Sequence, residues 1–183
     1  MALVDERERV KRYEQTVLPH LDAAYNLARW LVRDAHDAQD VVQDALVRAL
    51  RHFDGFRGGD PRPWLLAIVR NAAFAWLGSR RAGEVDFSEH EHELDAVLAL
   101  SAPPGDPESL AIRRAERQEI DAAIAALPIA FREAVVLREL EDLSYRDIAR
   151  ITDVPIGTVM SRLSRARHLL AAALRPEATR NLA

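Results

Sequence analysis

The residues best suited to chemistry lie near the C-terminal end of the chain. Read as a helix from Ile156 to about Leu174, this segment puts Val159, Leu163, Ala166 and Leu170 on one side and Thr158, Ser161, Ser164, Arg165 and His168 on the other. An arginine can donate two hydrogen bonds to the edge of a guanine, and serine or threonine hydroxyls bond bases or phosphates, so the outer face suits reading of the DNA major groove. Arg162 and Arg167 fall toward the flanks, where contact with phosphate is expected. Gly157 permits close approach of a backbone, and the helix N-terminus itself favours a phosphate. The plainer reading of the same pattern is an amphipathic helix with a solvated arginine face.

The elements around this helix favour the first reading. Ser144-Tyr145-Arg146-Asp147 is a capping-box arrangement that opens a short helix through Arg150, and Asp153-Val154-Pro155 makes a turn. Short helix, tight turn and longer helix make a helix-turn-helix. A helix from Pro107 to Leu127, ended by Pro128, and another from there to Glu141 supply the surface on which it packs. Nearer the N-terminus, helical periodicity runs from about Glu6 to Leu31 with an interruption near Pro19. A helix from Ala35 to about Arg51 follows, capped by Asp34 or a neighbour. It sets Val42, Leu46, Ala49 and Leu50 against Asp37, Asp40, Asp44 and Arg51. A Gly- and Pro-bearing loop from Asp54 to Pro61 precedes a helix from Pro63 to Arg81 that carries Trp64, Leu65, Ile68, Phe74 and Leu77.

Alternating apolar segments of the kind a barrel or sandwich needs are missing, so the expected fold class is all-α with two small helical domains. The expected divisions are a bundle over 1–83, an acidic linker over 84–107 in which 94–100 could form a turn or two, a helix-turn-helix domain over 108–175 and a tail over 176–183. The formal net charge is -4, which by itself disfavours nucleic acid. Its distribution argues the other way. Residues 61–83 and 155–176 each hold four arginines and no acid, whereas 84–112 holds many acids and no Lys or Arg. Two DNA-facing surfaces separated by a segment that repels DNA would give this layout. Cysteine is absent, which excludes disulfides, thiolate metal sites and a cysteine nucleophile. No apolar run approaches the ~18 to 20 residues that span a bilayer, so no membrane insertion and a cytoplasmic location are expected.

The run from Leu143 to Ala149 followed by Val154-Pro155-Ile156-Gly157-Thr158-Val159-Met160-Ser161-Arg162-Leu163-Ser164-Arg165-Ala166-Arg167 resembles region 4 of the extracytoplasmic-function sigma factors of bacterial RNA polymerase. Leu127-Pro128 and the stretch from Arg132 to Arg138 fit the same region. The resemblance implies that Gly157, Thr158, Ser161, Arg162, Ser164, Arg165, Arg167 and His168 meet the minus-thirty-five promoter element. Met160, where many relatives carry Arg or Lys, and Ser164, which is often larger, depart from the usual pattern.

The run from Asp34 to Leu46 is similar to region 2.2, which docks on the clamp of the β' subunit of polymerase core. Asp37, Asp40, Gln43 and Asp44 are therefore implied as core-binding residues. The segment from Pro63 to Ala73 is similar to regions 2.3 and 2.4, which open DNA and capture bases of the minus-ten element. Arg62, Arg70, Arg80 and Arg81 would then serve the DNA backbone, Asn71 an unstacked base and Trp64 a stacking surface. At its spacing from Ile68, Trp64 reads more readily as core than as a stacking surface, and Asn71 also reads as an ordinary surface amide. The resemblance also implies an anti-sigma partner, which could hold the chain at a membrane, a monomeric active form, and a connecting segment that threads a polymerase channel.

Two other classes of function find some footing in the residues. His90 and His92 among Glu89, Glu91 and Glu93 could bind a divalent metal, but the spacing is irregular and the site falls in the expected linker; no catalytic residue, metal or cofactor is expected. An ordinary helix-turn-helix regulator with an N-terminal sensory or dimerisation bundle would account for the C-terminal half alone.

Overall fold

The computed structural model describes residues 2–82 and 107–174, with side chains described from Glu6 to Arg80 and from Arg113 to Leu174. The expectations placed on 84–106, including the possible turn at 94–100 and the pair His90 and His92, lie outside the described residues, as does the side chain of Arg81. Every regular element described is helical, as the periodicity requires.

Helix α1 (Ala2–Val17) passes through a 3-10 turn (Leu18–His20) into α2 (Leu21–Val32), so Pro19 breaks the run where expected. Arg33 ends α2 in the left-handed conformation at φ 66°, and the Asp34 side chain accepts from the Asp37 amide at 2.9 Å, capping α3 (Ala35–Arg51). The buried stripe of α3 is Ala38, Val41, Val42, Ala45 and Ala49, whereas Leu46 and Leu50 are only half-buried. The core side is thus rotated from the one expected, because α2 and α4 close on the alanine row and leave the leucines at its margin.

After a 3-10 turn at Phe53–Gly55, α4 (Pro61–Ala82) begins two residues before the expected Pro63. Asp60 explains the shift, since its carboxylate accepts from the Arg62 amide at 3.0 Å and Pro61 occupies a position that needs no donor. Helices α2, α3 and α4 pack on one another around Leu27, Leu31, Leu65, Leu66 and Val69, all 0–1% exposed. Burying each such side chain contributes roughly 1.5–3 kcal/mol. Helix α1 is stitched across the end of α3. Tyr13 Oη donates to the Leu46 carbonyl at 2.9 Å, and Arg9 Nη2 to the Leu50 carbonyl at 2.8 Å.

The second unit comprises α5 (Pro107–Ala125), α6 (Ile129–Val135) with a π turn (Val136–Leu140), α7 (Tyr145–Thr152) and α8 (Ile156–Ala173). The helix expected to reach Glu141 thus changes its hydrogen bonding on the way: the Glu141 amide reaches back to the Val136 carbonyl at 3.0 Å, and Asp142 at φ 47° turns the chain. Arg132 is buried beneath the end of α5, where Nη1 donates to the Ala125 carbonyl at 2.5 Å, while its Nε has no protein partner. Burial, with repulsion from Arg33 second, lowers its pKa to about 10.

The two units are not merely tethered. Helix α4 packs along α7, α2 packs against α6 and its π turn, and the buried apolar residues form a single cluster through both.

Candidate nucleic-acid interface

The C-terminal surface is built by a well-defined helix-turn-helix. Ser144 Oγ accepts from the Asp147 amide at 3.1 Å and lies 2.5 Å from an Asp147 carboxylate oxygen, closing the expected capping box. That bond, followed by pairing with Arg150, holds the Asp147 carboxyl below its ordinary range. Asp153 adopts the left-handed conformation at φ 53°, and the Val154 amide returns to the Ala149 carbonyl at 3.2 Å, so the chain reverses sharply into Pro155. Ile148 and Ile151 of α7 and Val159, Leu163 and Ala166 of α8 are all buried, which fixes the rotation of α8.

That rotation exposes Gly157, Ser161, Ser164, Arg165 and His168 in two adjacent rows; Thr158 and Arg162 are half-buried at the margin. A Cβ on Gly157 would meet nothing within 4 Å, so packing inside the chain does not demand a glycine there. Ser161 Oγ donates to the Thr158 carbonyl at 2.9 Å. Arg167 is exposed but engaged with Glu139 at 2.7 Å, which, ahead of Tyr145, raises its pKa. The face expected from the projection is therefore exposed, with three large apolar additions: Ile156 is 45%, Met160 53% and Leu169 45% exposed.

The N-terminal cationic residues are arranged differently. Trp64 is half-buried in an aromatic group, its ring centroid 5.1 Å from Phe56 and 6.4 Å from Phe53, and so stands as part of the core margin. Asn71 is exposed on α4. Arg80 stacks over Trp76 at 4.6 Å and pairs with Asp37 at 2.6 Å, which joins an expected DNA contact to an expected core-binding residue. Desolvation outweighs this cation and leaves the Asp37 carboxyl above its ordinary range. Asp40, Gln43 and Asp44 project from α3 into solvent, Asp44 with Arg48 at 2.7 Å.

Arg62 and Arg70 face the second unit. Arg70 lies over the Phe74 ring at 4.6 Å and its Nε donates to Glu133 Oε1 at 2.5 Å. Arg162 Nη1 lies 4.0 Å from the other oxygen of the same carboxylate. Arg62 pairs with Glu141, whose other oxygen accepts from Asn26 Nδ2 at 2.5 Å. Burial raises the Glu133 pKa despite its two arginine neighbours. Neither Glu133 nor Glu141 was expected at a site. Their partners lie 63 and 79 residues away, so no local pattern separates them from the exposed acids Glu139 and Asp142 beside them.

Known proteins match this chain across both units. Residues 16–82 match the family described as Sigma-70 region 2, and residues 117–170 the one described as Sigma-70, region 4. The chain is 34% identical over 184 residues to the RNA polymerase sigma-H factor of Pseudomonas aeruginosa, covering 92% of each. It is 39% identical over 137 residues to the ECF RNA polymerase sigma-E factor of Escherichia coli K12, covering 73% of this chain and 72% of that one. Among solved structures it is similar to the sigma factor RpoE of Bartonella quintana in complex with the anti-sigma factor NepR. The TM-score there is 0.70 at 30% identity, over 90% of this chain and 97% of that one. It is also similar to CnrH in complex with the cytosolic domain of CnrY, with a TM-score of 0.61 at 26% identity over 90% and 88%. With a region 2 bundle, a region 4 helix-turn-helix and relatives that span nearly its whole length, the chain belongs to the extracytoplasmic-function family of RNA polymerase sigma factors, and is a transcription initiation factor.

Proposed function

We propose a specific division of labour within this sigma factor. Residues 1–83 form the core-binding and minus-ten unit, 84–107 the acidic connection, 108–175 the minus-thirty-five unit and 176–183 a tail. Asp40, Gln43 and Asp44, with Asp37 at their edge, meet the polymerase clamp. Arg62, Arg70, Asn71, Arg80 and Arg81 serve the minus-ten element, and α8 reads the minus-thirty-five element through Ser161, Ser164, Arg165 and His168. Thr158 and Arg162 at the margin of that face, Arg167 on its flank and the exposed Gly157 backbone contact phosphates. Trp64 supports α4 rather than stacking on a base, since it is already packed on Phe56.

One observation carries this reading: the exposed polar side chains of α8 are hydroxyls, arginines and a histidine, on a helix without an acid. Such a surface is matched to base edges and phosphates. The helix-turn-helix regulator loses its ground, because the N-terminal half matches region 2 and needs no separate sensory role.

Control by an anti-sigma factor is supported by the likeness to RpoE of Bartonella quintana, whose structure was solved with the anti-sigma factor NepR. The role needs no catalysis, cofactor or metal. No described helix is long and apolar enough to cross a membrane, in keeping with action beside polymerase in the cytoplasm.

Run-off transcription from a promoter library with purified bacterial core polymerase tests the proposal. Specific transcripts that depend on the protein, with preferences at both elements, are expected. Binding to duplex DNA without core, together with no transcript, would overturn it.

A further inference from the structure

We propose that Met160 reads a thymine of the minus-thirty-five element through its C5 methyl group, so that an apolar contact adds a thymine preference to the hydrogen-bonded reading by the polar side chains of α8. This rests on the assignment of α8 to that element.

A lone exposed methionine is ordinary on a protein surface. Met160, however, is 53% exposed and has Ile156, 45% exposed, one turn ahead of it, so large apolar side chains adjoin on the helix surface. Both lie in the N-terminal half of α8, the part that a helix-turn-helix sets against base edges. Met160 also stands one turn before Ser164 and next to Ser161, both exposed, while Val159 and Leu163 hold the buried side. Docking of the polar face on DNA must therefore strip water from Met160 as well.

What Met160 can gain in exchange is narrow. Its thioether is a weak acceptor with no hydrogen to give, so it offers nothing to phosphate oxygens or to the guanine edge, which presents only acceptors. Ser161 beside it has committed its hydroxyl hydrogen to the Thr158 carbonyl at 2.9 Å and can only accept from DNA. Here the helix thus presents an apolar surface and an acceptor, and no side-chain donor. Among the groups that distinguish the bases in the major groove, the apolar one is the C5 methyl of thymine. The adenine paired with it supplies an amino donor, so an A·T pair satisfies both neighbours. The methionine side chain is unbranched and rotates freely, and can follow the methyl without a shift of the helix.

The test measures binding of holoenzyme, formed from core polymerase and the full chain, to a promoter taken from the library. Each thymine of its minus-thirty-five element, on either strand, is replaced singly by deoxyuridine, which removes the C5 methyl and leaves every hydrogen-bonding group in place. At one thymine the exchange should weaken binding about 4-fold, the worth of one buried methyl-sized group. In Met160→Ala the same exchange should cost nothing, so that the two losses do not add. M160Q, which keeps the length of the side chain but ends it in an amide, should be equally indifferent to the methyl. Met160 is more than half exposed, so neither variant opens a cavity. Each comparison is between two DNAs on one protein, so a general loss of stability cancels, as does any effect of the exchange on the DNA itself.

An undiminished deoxyuridine penalty in M160A, or a penalty retained by M160Q, would overturn the proposal. So would the absence of any methyl-sensitive thymine in the unsubstituted protein, which would place Met160 on a sugar instead. The assignment of α8 is separated from this by S161A, S164A and R165A combined in one chain. Base preference at the element left intact by that variant would refute the assignment and take Met160 with it. Preference lost in that variant, with no methyl-sensitive thymine in the unsubstituted protein, would overturn the role of Met160 alone.

Discussion

Arg165 and Arg167 lie two residues apart on α8, and the structure separates their roles. Arg165 is exposed on the open face, whereas Arg167 is turned toward Glu139 at 2.7 Å. A side chain that reads a base edge by paired hydrogen bonds contributes roughly 1–3 kcal/mol of discrimination at one base pair, or about 5- to 150-fold. Arg165→Ala should therefore flatten base preference at one position of the minus-thirty-five element by that factor. Arg167 must first leave an exposed ion pair worth about 0–1 kcal/mol, and its reach favours a phosphate. Arg167→Ala should weaken binding by a similar factor on every sequence and lower the salt slope by about 0.9. Fluorescence anisotropy of holoenzyme on promoter variants, across a salt series, measures both quantities. A uniform loss with a shallower slope for R165A, and a change of base preference for R167A, would refute the assignment drawn from exposure and pairing.

Glu133 gives a pH prediction with a definite sign. Its pKa is raised in the fold, so the folded chain binds this proton more tightly than the unfolded one, and the group adds stability as pH falls through the raised value toward the ordinary carboxyl range. The melting temperature of the native chain relative to Glu133→Gln should therefore rise as pH falls across that window; a difference that shrinks would mean that Arg70 outweighs desolvation. Arg132→Ala removes the guanidinium donating to the Ala125 carbonyl at the end of α5 and should cost about 2–3 kcal/mol in urea unfolding, while a loss under 0.5 kcal/mol would show those carbonyls to be solvated in its place. Ser144→Ala should cost about 1 kcal/mol by loss of the α7 cap, and retention of wild-type stability would mean that Asp147 takes over the cap by itself.

The helix-turn-helix was legible because its signals are local. Ser144 and Asp147 are three residues apart, the reversal at Asp153 to Pro155 is continuous in sequence, and the inward row Val159, Leu163 and Ala166 fixes which residues of α8 face out. The rotation of α3 was not legible in the same way. Alanine and leucine are both apolar, and only the approach of α2 and α4 decides that Ala45 and Ala49 are fully buried while Leu46 and Leu50 line the margin. The π turn was equally hidden, since Val136 to Leu140 has good helical periodicity and the altered bonding arises where the chain must turn at Asp142. Furthest from the sequence were the pairs between units: Arg70 and Glu133 are separated by 63 residues, and Arg62 and Glu141 by 79.

Those long-range pairs also resolve an apparent conflict in the charge. A net charge of -4 argues against nucleic acid only if every charge acts at the surface. Here the two acids nearest the proposed minus-ten arginines are buried against them, so each neutralises a cation and carries no exposed negative potential of its own. Neither adds to the potential that DNA would meet on α4 or α8, and the acid-free stretches 61–83 and 155–176 set the charge there.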